Sequence, residues 1–230
     1  KQSIYFNMSN RTDEKIKSMP WAWLRKLNQI VENAELRFDI NLPVEISPSL
    51  FLSDEKGALD TEKLNNLGIT HVLSLNGVPS YQERFTSDFY KDRGIVHSRI
   101  NAEDREGYEI IAKHWKECMD FLTLALGTKG NRVVVHCVAG VNRSVIIACA
   151  AHMVMGGHTV LDAVSHCVGK RGLILSNKSF RMDLCVLAAH HGLLGVHPEG
   201  FSDDPIKIVE ISPPPIATAL DRLLFDRINS

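Results

Sequence analysis

The chain has 230 residues, 44% of them apolar and 23% charged, with a formal net charge of -1. These proportions suit one moderate globular domain with some decoration, and they exclude a disordered chain, a strongly basic nucleic-acid binder and a surface built for anionic lipid. Any anion site must be local, so neither nucleic acid nor a membrane is expected as a partner. No charge-free apolar run reaches the roughly 18 residues that a membrane span needs.

In chain order, residues 1–38 open on a polar stretch and continue as "WAWLRKLNQIVENAEL", where Pro20 ahead of Trp21 and Trp23 marks a helix start. Met8 reads as a candidate native start with Lys1 to Asn7 ahead of it, a reading compatible with sequence removed upstream. Over residues 39–192 short β-rich runs alternate with helical periodicity, which predicts an α/β domain with a central, mainly parallel twisted sheet flanked by helices. The expected strands are 49–53, 69–75 and 94–100, with a helix at 60–68 stopped by Gly68. A long helix is expected from about Tyr108 to Leu126, with Ile111, Trp115, Cys118, Leu122 and Ala125 on one face.

"NRVVVH" then reads as a buried central strand, and Arg143 to Met155, apolar around its circumference, as a helix inside the core. Thr159 and Asp162 form a capping box for the next helix, and a last helix runs from about Asn177 to His191. Residues 193–230 are loop-like and close on a short amphipathic helix carrying Ile216, Ala219, Leu220, Leu223 and Ile228. Both flanks are expected to fold back on the domain.

Between the buried strand and the buried helix lies "HCVAGVNRS", residues 136–144. A cysteine six positions before an arginine occurs by chance roughly 0.3 times in such a composition; with His136, Gly140 and Ser144 also required, the expectation falls to on the order of 6 in 100,000. A loop leaving a strand and entering a helix can gather its N–H groups, here those of Val138, Ala139, Gly140, Val141 and Asn142, into an anion cradle at the positive end of the helix dipole. Gly140 permits the curl, and Arg143 offers paired donors to phosphate oxygens that a lysine could not. The same field favours a thiolate at Cys137, which can attack phosphorus and form a phosphocysteine. Ser144 is placed to donate to the departing sulfur, and His136 to orient the loop.

These residues resemble the HCxxGxxRS signature of the cysteine-dependent protein phosphatases, and the surroundings look like the dual-specificity branch. The resemblance covers about residues 44–192: "VEISPSLFLSDEKGALDTEKLNNLGITHVLSL" is similar to that branch's opening, and "LSNKSF" to its late loop with Asn177 and Phe180. It implies the phosphatase fold, a phosphorylated protein as substrate, no cofactor and no metal, and a general acid on a loop before the cysteine. In "RINAEDREGYE" the family's pattern falls on Asp104, with Glu103 as the fallback. It also implies a supporting role for Asn177. The chain departs from the family in having Gly172 and Ser176 where prolines are common.

Two rivals accompany this reading. One is a phosphatase for a phosphoglucan or an RNA 5' end, disfavoured by the 7% aromatic content and the near-zero charge. The other is a phosphopeptide-binding pseudophosphatase, whose usual mark, loss of the cysteine or arginine, is lacking. The absence of lysine from the loop weighs against inositol lipids. Cys118, Cys149, Cys167 and Cys185 read as core thiols, and five cysteines without CxxC spacing point to a reducing compartment, the cytoplasm with the nucleus open to it. The histidines at 114, 152, 158, 166, 190 and 191 have no metal-ligand spacing. The oligomeric state is not legible.

Overall fold

Val133, Val134, Val135 and His136 have no exposed side, each being 3% accessible or less, so their strand can only sit in the middle of a sheet. The computed structural model, which describes residues 19–35, 37, 41–76 and 87–205, places it there. The strands are β1 (Val44–Ser47), β2 (Leu50–Ser53), β3 (His71–Ser74), β4 (Val96–Arg99) and β5 (Val133–His136), in the order β1-β2-β5-β3-β4. All neighbours run parallel except the β1–β2 hairpin. The mainly parallel α/β sheet expected from the sequence is thus observed. Ser53 and Ser74 flank His136 in register, so three strand ends meet just below residue 137.

The helices are α1 (Trp21–Glu32), α2 (Glu55–Leu59), α3 (Thr61–Asn66), α4 (Ser87–Lys91), α5 (Ile110–Leu126), α6 (Arg143–Gly156), α7 (Val160–Arg171) and α8 (Lys178–His191). In α6 the residues from Ser144 to Ala151 are all buried, and α7 starts where the Thr159 side chain accepts from the Asp162 N–H. The main core lies between the sheet and α1, α5, α6, α7 and α8, with Phe180, Ile146 and Ile147 fully buried. A smaller cluster with Phe51, Leu64 and Val72 packs against the opposite face.

Several elements differ from expectation. The sequence reading omits β1, because Pro48 interrupts its run and Ser49 turns the hairpin at a positive φ of 68°. It omits α2 and α4, five residues each, which are too short to show periodicity. Trp115 is half-buried but packs against the main core together with Ile111, Cys118, Leu122 and Ala125, as expected, and α5 begins two residues after Tyr108, at Ile110. α1 shares the main core through Trp21, Leu24, Leu27 and Val31. The expected helix over 216–228 lies outside the described residues.

Burying His136 has a consequence for stability. Its Nε2 lies 2.6 Å from the Ser74 hydroxyl, which also meets His97 Nε2 at 2.8 Å. Burial pushes the His136 pKa down to about 3 and that of His97 down to about 4, so both rings are neutral in the fold. Unfolded histidines take up a proton near their ordinary value, so the unfolded chain binds more protons between the two values. This contribution to stability is fully present above about pH 6.5 and declines as pH falls through the window below it. His136 alone then lowers unfolding free energy by on the order of 2 kcal/mol between about pH 7 and pH 5. Urea midpoints should fall over that range in the native chain and less in His136→Gln; equal slopes would contradict the assignment.

Candidate active site

Residues 137–142 join β5 to α6, and the carbonyls of Val138, Ala139 and Val141 are held from outside the loop. The Val138 oxygen accepts from the Glu55 N–H at 3.1 Å and the Val141 oxygen from the Leu175 N–H at 2.8 Å. The Ala139 oxygen accepts from Arg171 Nη2 at 3.2 Å, and the Asn142 oxygen from the Ile146 N–H at 2.9 Å. In a trans peptide the N–H points opposite to the carbonyl of the same plane. Tying the carbonyls of residues 138, 139 and 141 outward therefore turns the N–H groups of Ala139, Gly140 and Asn142 the other way. Among the described residues none of these N–H groups has a protein acceptor. The planes ahead of Val138 and Val141 have no such tie among the described residues.

Gly140 is required twice over. Its φ is +62°, and a Cβ would stand 2.8 Å from the Ser53 carbonyl oxygen and 2.9 Å from the Asp54 nitrogen. The loop thus presses against the β2–α2 junction, which only a residue without a side chain allows. Cys137, 1% exposed, receives a hydrogen bond from the Ser144 hydroxyl at 3.2 Å.

Arg143 reaches across the strand ends. Its Nη1 donates to the carbonyls of Leu75 at 3.2 Å and Ala102 at 3.3 Å, which fixes one edge of the guanidinium. Among the described residues its buried Nε–H has no hydrogen-bond partner, an expensive arrangement unless an anion completes it. Asp104 lies beside it, Oδ2 to Nε 3.8 Å, while Asp104 Oδ1 accepts from Asn177 Nδ2 at 3.3 Å. The structure therefore brings Cys137, Arg143, Ser144, Asp104 and Asn177 to one place. Glu103 is elsewhere: it pairs with Arg105 in the open, and that hydrogen bond lowers its pKa, the wrong direction for a proton donor.

Other contacts that build the site carry no local signal in the sequence. Asn142 is 3% exposed and its side chain engages the Ser176 hydroxyl and the Asn177 N–H. Glu106 accepts from the N–H groups of Lys178 and Ser179 and from the Ser179 hydroxyl at 2.7 Å, so the loop bearing Asp104 is fastened to the start of α8. A carboxylate there also favours the positive end of the helix. Arg171 is a second cation beneath the loop, its pKa held below the usual guanidinium value by burial and opposed by Asp54 and the Cys137 sulfur.

A family model described as the dual specificity phosphatase catalytic domain matches residues 50–189. The chain belongs to this family. Dual specificity protein phosphatase 26 of Bos taurus is 32% identical over 143 residues, which are 62% of this chain and 65% of that protein. Dual specificity protein phosphatase 13B of Homo sapiens is 32% identical over 143 residues, 62% of this chain and 71% of that protein. The match to the first of these relatives spans just under two thirds of its length, at 65%. The crystal structure of DUSP15 is similar with a TM-score of 0.55 at 26% identity, covering 70% of this chain and 97% of that one.

Within this dual specificity phosphatase domain the two missing prolines have local reasons. Gly172 has a φ of +82°, and a Cβ on it would meet the Glu35 carbonyl oxygen at 2.9 Å. Proline, fixed at negative φ, could not take this conformation. Ser176 uses its hydroxyl to hold Asn142, a bond that proline could not make.

Proposed function

We propose that the domain hydrolyses phosphate monoesters on protein tyrosine and serine or threonine side chains through a phosphocysteine. The observation that supports this reading is that the carbonyls of Val138, Ala139 and Val141 are tied by groups outside the loop, while among the described residues the N–H groups of Ala139, Gly140 and Asn142 and the Arg143 Nε–H have no hydrogen-bond acceptor. In the first step Cys137 Sγ attacks phosphorus, the bond from phosphorus to the side-chain oxygen breaks, and Asp104 gives its proton to that oxygen. In the second, Asp104 takes a proton from water as it attacks phosphorus, the S–P bond breaks, and Ser144 donates to the released sulfur. The amides of Val138, Ala139, Gly140, Val141 and Asn142, with Arg143, stabilise charge on the equatorial oxygens. His136 orients the loop and Asn177 holds the acid. The chemistry requires no cofactor or metal.

Family membership and a loop without lysine support protein substrates over phosphoglucan, RNA 5' ends or inositol lipids. The retained Cys137 and Arg143 support turnover over phosphopeptide binding alone. Five free, buried cysteines support a reducing compartment such as the cytoplasm, and among the described residues no helix is long and apolar enough to cross a membrane.

The test is a panel of phosphotyrosine and phosphothreonine peptides, a phosphoglucan and an activated aryl phosphate, run on the native chain and on Asp104→Asn. The native chain should turn over both peptides and leave the phosphoglucan untouched. Asp104→Asn should lose about 100-fold or more on phosphothreonine, whose alkoxide is a poor leaving group, and under about 10-fold on the activated aryl ester. An equal loss on both esters would reassign the acid, and turnover of phosphoglucan alone would overturn the substrate class.

A further inference from the structure

We infer that the segment 21–35, which precedes the residues matched to the family, is part of the catalytic unit, and that Arg181 is the positioning residue through which α1 holds the phosphate loop. Arg181 is 4% exposed in the first turn of α8. Its Nη1 donates to Asn28 Oδ1 at 3.1 Å and Glu32 Oε1 at 3.2 Å, both on α1. Its Nε donates to the Leu175 carbonyl at 2.7 Å, and the Leu175 N–H in turn donates to the Val141 carbonyl at 2.8 Å.

Leu175 has a φ of +52°, in the left-handed region that a residue with a side chain enters only at a cost. Such a conformation persists only where its surroundings hold it. Here both polar groups of the residue are engaged, one by Arg181 and one by the phosphate loop. A second tie runs in parallel: the Leu173 N–H donates to the Glu35 carbonyl at 3.1 Å, where the chain leaves α1. Residues 172–177 are thus gripped on one side by the preceding segment and grip Val141 and Asn142 on the other.

The consequence falls on one peptide plane. The Val141 carbonyl is tied outward by Leu175, and this sets the Asn142 N–H toward the phosphate position. Without Arg181 the buried Leu175 carbonyl loses a charged donor, Leu175 is freed to relax, and that plane loses its hold. A donor aimed at transition-state charge affects kcat more than ground-state binding.

The inference rests on the phosphate-loop reading above. Arg181→Met should lower kcat on an aryl phosphate by about 10-fold with KM changed by less than about 3-fold. Inhibition by orthovanadate, which adopts the five-coordinate geometry, should weaken by about the same factor, and inhibition by inorganic phosphate should move little. Leu64→Ala, in the smaller core cluster, serves as a variant destabilised without contact to either loop and should keep native kcat below its melting range. Should Arg181→Met fail to fold, Asn28→Ala with Glu32→Ala keeps Arg181 and removes its hold on α1. Glu32 is 57% exposed, so this double variant should fold and lose kcat about 3-fold with vanadate weakened in step. Unchanged kcat and vanadate inhibition in either variant overturns the inference. Cys137→Ser in the same assay separates the two readings: persistent turnover there removes the phosphate-loop reading, whereas a silent Cys137→Ser beside an unaffected Arg181→Met removes only this inference.

Discussion

Cys137→Ser is expected to lower turnover of an aryl phosphate by at least about 10⁴-fold, equivalent to roughly 5.5 kcal/mol in the barrier, while phosphopeptide binding measured by calorimetry is retained. The substitution keeps the size of the side chain and leaves the cradle intact, so what it removes is nucleophilicity. A serine reacts in other hydrolases because a histidine takes its proton. Among the described residues no such base is hydrogen-bonded to position 137. The adjacent imidazole, His136, is buried with its Nε2 against Ser74, and burial keeps its pKa down at about 3. Ser144 donates to position 137 and offers no base. Residual turnover within about 10-fold of the native rate would mean that the nucleophile lies elsewhere.

Arg143→Lys should cost about 10³-fold in kcat/KM, or roughly 4 kcal/mol, although the charge is preserved. Leu75 and Ala102 take the two hydrogen bonds of Nη1, which sets the plane of the guanidinium and leaves Nε–H as a directed donor. A lysine ammonium has to choose between those carbonyls and the phosphate, because its donors radiate from one atom. The loss should therefore appear in kcat as well as KM, and in weaker orthovanadate inhibition. A loss below about 10-fold would show that charge alone is needed at this position.

The nucleophile loop was legible because each of its signals is local. The valines of β5 and the apolar circumference of α6 enclose it, and the spacing from Cys137 to Arg143 lies within one turn of chain. Asp104 was reachable only through family resemblance, since neighbouring carboxylates share its composition and differ in what they meet: Glu103 faces Arg105, Glu106 caps α8, and Asp104 faces Asn177 and Arg143. The supports were illegible for a related reason. Ser176 is 34 residues from Asn142, Ser179 is 73 from Glu106, and Arg181 is 149 from Glu32, so no spacing pattern joins them. The carbonyls of Leu75 and Ala102 that orient Arg143 are main-chain groups, which any residue type carries. Strand β1 is not legible because its alternation, with Glu45 exposed and Ile46 buried, lasts only four residues before Pro48 ends it.

The central claim is that phosphate passes through a covalent bond to Cys137. Mixing the native chain with a phosphotyrosine peptide, quenching in acid within one turnover and mapping the fragments by mass tests it directly. The account predicts the mass increment of one phosphoryl group on the fragment containing Cys137, absent from Cys137→Ser. An unmodified Cys137 after a burst of released tyrosine peptide, or a phosphoryl group on any other residue, would contradict it.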